Sequence, residues 1–325
     1  MRDMNRRILL IAAAGLPAGM ALPQKASAQT WPSRPVRIIV PFPPGGSNDV
    51  LARALADRLS PRIGQPVVIE NRAGAGGSIG ADAVAKSAPD GHTLLFISSS
   101  LATNAATQPL PYNPATDFTA IAQVAAAPMI VVVGADFEAR TFQDLLRIAR
   151  ERPGQLRFGG AGPGDTSFFS GELLKMAANI DMEAVAYRGI VDAQNDVAGG
   201  RIELVVTTLA SARSLLEGGR IRVIAVAAEQ RDPALPDVPT AREMGLDYVT
   251  GVWFGVFGPA GMPDDVTMRL NAEINAVLED PGYQEFLSRV GATPAPLSAG
   301  AFQAKLTLEV ERWTDVARRA GVAIR

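Results

Sequence analysis

One stretch decides the fold of this chain: Pro41-Phe42-Pro43-Pro44-Gly45-Gly46-Ser47-Asn48-Asp49. It follows the apolar run Val36 to Val40, which predicts a buried strand, and leads into Asp49 to Leu59, where apolar residues recur at helical spacing. Glycines at such a turn let backbone N–H groups approach a ligand, and the start of a helix attracts an anion. The alternative is an ordinary glycine turn with a helix cap, because strand–glycine–helix turns are common.

A second stretch has the same strand–glycine–helix organisation: Phe158-Gly159-Gly160-Ala161-Gly162-Pro163-Gly164-Asp165-Thr166-Ser167. Two such elements that face each other across a cleft could hold one anion between two helix starts. A third glycine stretch, from Asn71 to Gly80, lacks both the dinucleotide spacing G-x-G-x-x-G and the lysine of a P-loop. It is interpreted as a tight turn, and no nucleotide cofactor is predicted.

Short apolar runs alternate with segments of helical period along the whole chain, which predicts an α/β fold built on largely parallel sheets. Ile121 to Val124 and Met129 to Val133 are predicted as two separate short strands. No flexible linker divides the chain, so we expect two lobes between which the chain crosses twice. The predicted boundaries are 1–28 for a signal peptide, 29–133 plus 254–325 for lobe I, and 134–253 for lobe II.

The first 28 residues have the three parts of a secretory signal. Three arginines within the first seven residues precede an apolar run from Ile8 to Leu22, and Ala26-Ser27-Ala28 is a pattern that signal peptidase cuts. The run is too short to span a bilayer comfortably. The pair Arg6-Arg7 also fits twin-arginine export, which stays open beside the Sec route. We therefore expect a mature protein that begins at Gln29 and works in the periplasm.

Composition argues against several classes of function. Removing residues 1–28 takes away four basic residues and one acidic residue, which leaves 27 basic and 32 acidic residues. This mildly acidic balance argues against nucleic acid as a partner. The chain has no cysteine and only one histidine, His92, so neither thiolate chemistry nor a zinc site is expected. A Ser-His-Asp triad would need His92, and no nucleophile elbow accompanies it.

Further motifs follow the first glycine loop in a definite order. They are Ala52-Arg53, Glu70-Asn71-Arg72 with Gly74 to Gly77, Tyr187-Arg188-Gly189, Pro233 to Thr240, and Trp253-Phe254-Gly255 with Pro259-Ala260-Gly261. In this order the chain resembles the solute receptors of tripartite tricarboxylate transporters, often called the Bug family. The resemblance implies a two-lobed periplasmic-binding-protein ("Venus flytrap") fold, each lobe a mostly parallel sheet flanked by helices. It also implies capture of a carboxylated metabolite and its delivery to a membrane permease of one small and one large subunit.

The resemblance implies that both glycine loops grip the ligand's carboxylate, largely through backbone groups and water. The residues that it assigns to the site are Phe42, Gly45, Gly46, Ser47, Asp49, Ser98, Thr103, Gly162, Thr166, Ser167 and Tyr187.

Two further site residues depart from the family pattern. Asp165 stands where serine is common, and Thr207 stands where aspartate is frequent. An unpaired carboxylate that faces an anionic ligand is repulsive. Either the ligand therefore has a neutral or cationic end near Asp165, or Asp165 caps its helix.

The sequence thus predicts a periplasmic receptor for a small carboxylated metabolite. It is expected to be a monomer that needs no cofactor or metal, catalyses no reaction, contacts permease subunits transiently and has no stable membrane insertion after signal cleavage. Three alternatives stay open: an exported enzyme acting on a small carboxylate, a ligand sensor without a transporter, and a structural or partner-binding protein of the cell envelope.

Overall fold

The computed structural model describes residues 31–320, so the predicted signal peptide lies outside the described residues. The strands are β1 (Val36–Val40), β2 (Val67–Asn71), β3 (Thr93–Ser98), β4 (Phe118–Gly134), β5 (Arg157–Gly160), β6 (Glu183–Ala186), β7 (Leu204–Thr207), β8 (Ile221–Ala227), β9 (Gly251–Pro259) and β10 (Thr293–Pro294). The helices are α1 (Ser47–Ile63), α2 (Ser78–Ala85), α3 (Ser100–Thr107), α4 (Phe142–Glu151), α5 (Thr166–Ala178), α6 (Ile190–Ala198), α7 (Leu209–Glu217), α8 (Asp264–Leu278), α9 (Pro281–Arg289) and α10 (Ala299–Ala320).

Strands β2, β1, β3, β9 and the first part of β4 lie side by side and form what we call the first half-sheet. In it β1 pairs in parallel with β2 and β3, whereas β9 runs antiparallel to β3 and β4. Ile38 and Leu94, on neighbouring parallel strands, are fully buried. Long apolar runs of this kind are typical of parallel strands that helices cover on both faces.

The second half-sheet consists of the last part of β4 with β7, β5 and β6, and β8 pairs with β4 as well. Here β5 is parallel to β6 and β7, and β4 is antiparallel to β7 and β8. The two half-sheets with their flanking helices make the two-lobed α/β fold that the sequence predicts.

Strand β4 is shared by both half-sheets, and the prediction of its two parts as separate strands is wrong. The sequence predicts two short strands, but the chain runs as one strand of 17 residues. Residues 118–128 pair with β9, and residues 129–134 pair with β8. Pro128 interrupts neither the strand nor its pairing, since it lacks an N–H but Met129 N–H donates to Thr250 O at 3.0 Å. The run of small alanines before Pro128 concealed the continuity.

Helix packing explains where the sequence pattern succeeded and where it failed. Leu51, Leu55 and Leu59 recur every four residues in α1 and are fully buried, as the helical spacing predicts. Helix α3 was not predicted, because most of its residues are buried and its uncharged sequence SLATNAAT shows no polar face. Among residues 31–320 no helix is long and apolar enough to cross a membrane.

Candidate ligand-binding site

The first glycine loop joins β1 to α1, and Asp49 holds its shape. Gly46 is the N-cap of α1, and Gly45 has a φ of 86°, in the left-handed region that favours glycine. The Asp49 carboxylate accepts hydrogen bonds from Gly45 N–H at 3.0 Å, Arg53 Nε at 3.1 Å and Asn71 Nδ2 at 2.9 Å. Burial raises the pKa of Asp49, but these hydrogen bonds lower it by more, so its carboxyl is ionised near neutral pH.

The second glycine loop joins β5 to α5, and Asp165 is the N-cap of that helix. Gly162 has a φ of 94°, so this loop also turns through the left-handed region. Asp165 Oδ1 accepts a hydrogen bond from Ser167 N–H at 2.8 Å and a second one from the Ser167 hydroxyl. Ser167 Oγ in turn accepts from Ala161 N–H at 3.1 Å. The loop and the helix start are therefore tied together around Ser167.

A closed cavity lies where the two glycine loops meet. The space between atoms in the cavity and at its mouth, which includes open solvent, is about 480 Å³, and about 40 Å³ is open to the centre of a water molecule. That open space holds roughly two or three waters. The wall is formed by Phe42, Pro43, Gly46, Ser47, Asn48, Ser98, Met129, Ala161, Asp165, Thr166, Ser167, Ile190, Val191, Thr207, Thr208, Val252 and Phe254.

Four helices begin at this wall. Ser47, Thr166 and Ile190 are the first residues of α1, α5 and α6, and Thr208 is the N-cap of α7. The first N–H groups of a helix have no acceptor within the helix and carry partial positive charge. The described part of the chain contributes no lysine, arginine or histidine to the wall. The cavity is thus suited to an anion that is held by neutral donors and helix dipoles.

Hydroxyl groups supply most of the polar wall, and several are already ordered. Thr207 Oγ1 lies 2.8 Å from Ser211 Oγ and accepts a hydrogen bond from Gln194 Nε2 at 3.1 Å. Ser98 Oγ lies 2.8 Å from Ser100 Oγ. These networks hold the hydroxyls at fixed positions, while a hydroxyl hydrogen can rotate to meet a ligand.

Beside the cavity, three hydrogen bonds join elements of the first half-sheet directly to elements of the second. Ser47 Oγ lies 2.6 Å from Thr208 Oγ1, and Ser99 Oγ lies 3.0 Å from Thr166 Oγ1. The third runs from Thr103 Oγ1 to the carbonyl oxygen of Gly164 at 2.6 Å. The structure is therefore the closed form of the cleft.

Asp165 both caps α5 and forms part of the cavity wall, so the two interpretations of this residue do not exclude each other. Only 7% of Asp165 is exposed. Burial raises the pKa of its carboxyl, and the hydrogen bonds from Ser167 and a weaker interaction with Thr166 N–H oppose that rise only in part. No positively charged side chain of the described residues forms an ion pair with Asp165.

Eight predicted site residues lie on the wall, and five do not. Asp49 and Gly45 form the hydrogen-bond network of the first loop behind it, and Gly162 shapes the turn of the second loop. Thr103 contacts Gly164 instead of the cavity. Tyr187 donates its hydroxyl to Asp196 at 2.9 Å, and burial together with that hydrogen bond raises the pKa of Tyr187 to about 12.

Sequence reasoning missed about half of the wall. Ile190 and Val191 begin α6 directly after Gly189, so the strand–glycine–helix signal used for the other loops would have found them. Thr208 adjoins the predicted Thr207, and Asn48 lies inside the first loop. Met129, Val252 and Phe254 carry no local signal, because they are buried strand residues that only the tertiary fold brings to the cavity. Within residues 31–320 no group of histidine, aspartate and glutamate could hold a metal ion.

Comparison with known proteins identifies the family. The family model described as "Tripartite tricarboxylate transporter family receptor" (TctC) matches residues 51–322. The chain belongs to the TctC family. The predicted resemblance is therefore confirmed, and so is the prediction that the chain is a solute-binding receptor.

Several solved structures that are 32–38% identical to this chain have the same fold. The periplasmic binding protein BugD is 32% identical with a TM-score of 0.87, and the match covers 91% of this chain and 100% of that chain. A structure described as R. palustris Rpa4515 with adipate is 38% identical with a TM-score of 0.87, covering 90% and 99%. MatC (Rpa3494) from Rhodopseudomonas palustris, described with bound malate, is 32% identical with a TM-score of 0.83, covering 88% and 99%. These similarities confirm the two-lobed periplasmic-binding-protein fold.

Proposed function

We propose that this TctC-family receptor binds a small carboxylate in the closed cavity and delivers it to a membrane permease. The observation that carries the proposal is the convergence of four helix starts on one cavity, whose described wall residues include no cationic side chain. The matched structures described with adipate and with malate support the same ligand class.

Helix starts and neutral donors are sufficient to hold a carboxylate here. Each helix start stabilises a nearby anion by about 0.3–1 kcal/mol, and by up to about 2 kcal/mol where it is partly buried. A hydrogen bond to a charged group adds about 1.5–3 kcal/mol. Most wall residues are buried, and the lower dielectric around them strengthens each of these interactions. Apolar wall residues such as Phe42, Ile190 and Phe254 suit the carbon chain of such a ligand.

Entry of the ligand requires the lobes to separate, because about 40 Å³ of open space admits only a few waters. We assign residues 29–133 plus 254–325 to lobe I and residues 134–253 to lobe II. Strand β4 changes partners at Pro128, and this change supports a hinge close to that residue. Opening would break the three hydrogen bonds across the cleft and expose the helix starts to solvent.

In this function the chain is exported, by the Sec or the twin-arginine route, and works in the periplasm as a monomer after cleavage behind Ala28. Its partners are the small organic acid and, transiently, the permease subunits. It acts without catalysis, and the names of the matched proteins as receptors and binding proteins support this.

The mature protein (residues 29–325) can be tested against mono-, di- and tricarboxylates by thermal shift and by isothermal titration calorimetry. A ligand at about 100 times its Kd stabilises the folded state by roughly 2.7 kcal/mol, which corresponds to a rise in Tm of several degrees. We expect one-to-one binding of at least one carboxylate, recovered chemically unchanged after incubation. Conversion of the ligand would show an enzyme, and the absence of any carboxylate binding would overturn the proposal.

A further inference from the structure

Two wall residues, Asp165 and Asn48, carry hydrogen-bonding groups that the protein itself leaves unused. Both hydrogen bonds that Ser167 donates to Asp165 reach Oδ1, and no other side chain of the described residues donates a hydrogen bond to Oδ2. The Asn48 side chain takes part in no hydrogen bond with the described residues, and its Oδ1 is buried. Asp165 is 7% exposed and Asn48 is 8% exposed. Both side chains line the same closed cavity.

Unused acceptors in a closed cavity cost free energy, because folding removes them from water without a replacement donor. The protein offers no cation to compensate, since the described wall residues include no lysine, arginine or histidine. The compensating donor must then come with the ligand, and a ligand that is only an anion would worsen the electrostatics at Asp165.

We propose that the ligand is a carboxylate that also carries a hydrogen-bond donor, a hydroxyl or an ammonium group, and that Asp165 and Asn48 accept hydrogen bonds from that donor. The inference rests on the proposed function, because the helix starts hold the carboxylate of the same ligand. Asp165 is then the residue that determines specificity: it rejects plain acids and attracts substituted ones.

A different explanation makes the opposite prediction. Because burial raises the pKa of Asp165, a protonated carboxyl could instead donate a hydrogen bond to a carboxylate of the ligand. Unsubstituted diacids would then bind best. The variant Asp165→Asn separates the two explanations. Its amide keeps an oxygen that can cap α5 and an N–H donor like that of a protonated carboxyl, but it has no negative charge to attract a ligand's donor.

The first experiment measures the affinity of the mature wild-type protein for two matched series of diacids. Succinate, malate and aspartate differ only in carrying hydrogen, hydroxyl or ammonium on one carbon, and adipate, 2-hydroxyadipate and 2-aminoadipate repeat the comparison on a longer chain. Titration calorimetry should show that a substituted member binds about tenfold more tightly than the plain diacid of its series, as expected for one charge-assisted hydrogen bond.

The second experiment repeats the titrations with Asp165→Asn and with Asn48→Ala. We expect the preference for the substituted ligand to fall to about twofold or less in Asp165→Asn and to shrink in Asn48→Ala. Asp280→Asn is the matched control, because Asp280 is the exposed N-cap of α9 and accepts from Tyr283 N–H at 2.8 Å, remote from the cavity wall. This control should keep the full preference.

Each result decides the inference. Equal or tighter binding of the plain diacids by the wild-type protein contradicts it, as does a preference that survives in Asp165→Asn. If all six compounds fail while another carboxylate binds, the inference is wrong and the receptor function stands. If no carboxylate binds, both this inference and the proposed receptor function are wrong. The comparison of wild-type affinities needs no variant. The inference can therefore be contradicted even if a variant fails to fold.

Discussion

At the scale of single residues, the two roles of Asp165, as helix cap and as buried cavity wall, favour opposite ionisation states of its carboxyl. An N-cap carboxylate stabilises its helix best when it is ionised, because it then accepts strongly from the first N–H groups. Burial in a wall without a cation disfavours that charge and raises the pKa of Asp165. The capping role therefore favours the ionised carboxylate, whereas burial favours the protonated one.

Asp165→Asn should stabilise the unliganded protein at neutral pH. The folded pKa of Asp165 lies above the ordinary value of 3.8, so the folded state binds the proton more tightly than the unfolded state. Stability then falls as pH rises from 3.8 through the folded pKa, and the penalty is complete above it. Asparagine is also a good N-cap but avoids this penalty. We therefore expect Asp165→Asn to have a larger free energy of unfolding than the wild-type protein near neutral pH.

The gain should disappear on acidification below the ordinary pKa of an aspartate, where both proteins carry a neutral side chain at this position. Thermal unfolding followed by circular dichroism across this pH range checks the prediction, with Asp280→Asn as the control. A variant that is less stable than the wild-type protein at neutral pH would show that the ionised cap contributes more than burial costs.

At the scale of elements, the first glycine loop and α1 bring backbone groups to the cavity, and Gly46 is the position where a side chain would interfere with a bound ligand. Its φ of −73° is open to any residue. A Cβ added there would lie 3.7 Å from Ile190 Cγ2 and from Pro43 O, which is ordinary contact. The backbone therefore does not require glycine at this position, and the need for it arises from the cavity.

Gly46→Val should accordingly weaken carboxylate binding by at least about tenfold while the free energy of unfolding changes by about 1 kcal/mol or less. The reason is that the added methyl groups occupy cavity space next to Ile190. Titration calorimetry and chemical denaturation measure the two quantities. Gly300→Val in α10, where an added Cβ meets no atom within 4 Å, is the control. Unchanged affinity would remove the first loop from the site.

At the scale of the whole molecule, closure of the cleft is a separate contribution to affinity. Thr103 was predicted to touch the ligand, but its hydroxyl instead joins α3 to the second glycine loop through Gly164. Helix α3 packs with the first half-sheet and the loop belongs to the second. This hydrogen bond forms only when the cleft is closed, so it shifts the balance between the open and closed forms.

Thr103→Val should therefore weaken carboxylate binding by about fivefold without removing a ligand contact, because one hydrogen bond contributes about 1 kcal/mol to closure. Small-angle X-ray scattering of the unliganded variant should show a larger radius of gyration than that of the wild-type protein. Thr107→Val is the control, because the Thr107 hydroxyl donates to Thr103 O within α3. Equal affinity and equal size in both variants would show that this contact does not bias closure.

The sequence by itself predicted the α/β class, both glycine loops and the family. These features are local: a strand, a glycine turn and a helix start are encoded in fewer than ten consecutive residues, as in Pro41 to Asp49. Even the cap at Asp165 was visible from its position before α5.

The tertiary structure decided which polar groups remain free for a ligand. Asp49 is the clearest case: the family resemblance assigns it to the ligand site, but Arg53 and Asn71 donate hydrogen bonds to its carboxylate behind the wall. Met129 and Phe254 reach the cavity only because β4 and β9 bring them there. Whether a polar atom is satisfied depends on partners distant in sequence, so the unused groups of Asp165 and Asn48 emerge only in the folded chain.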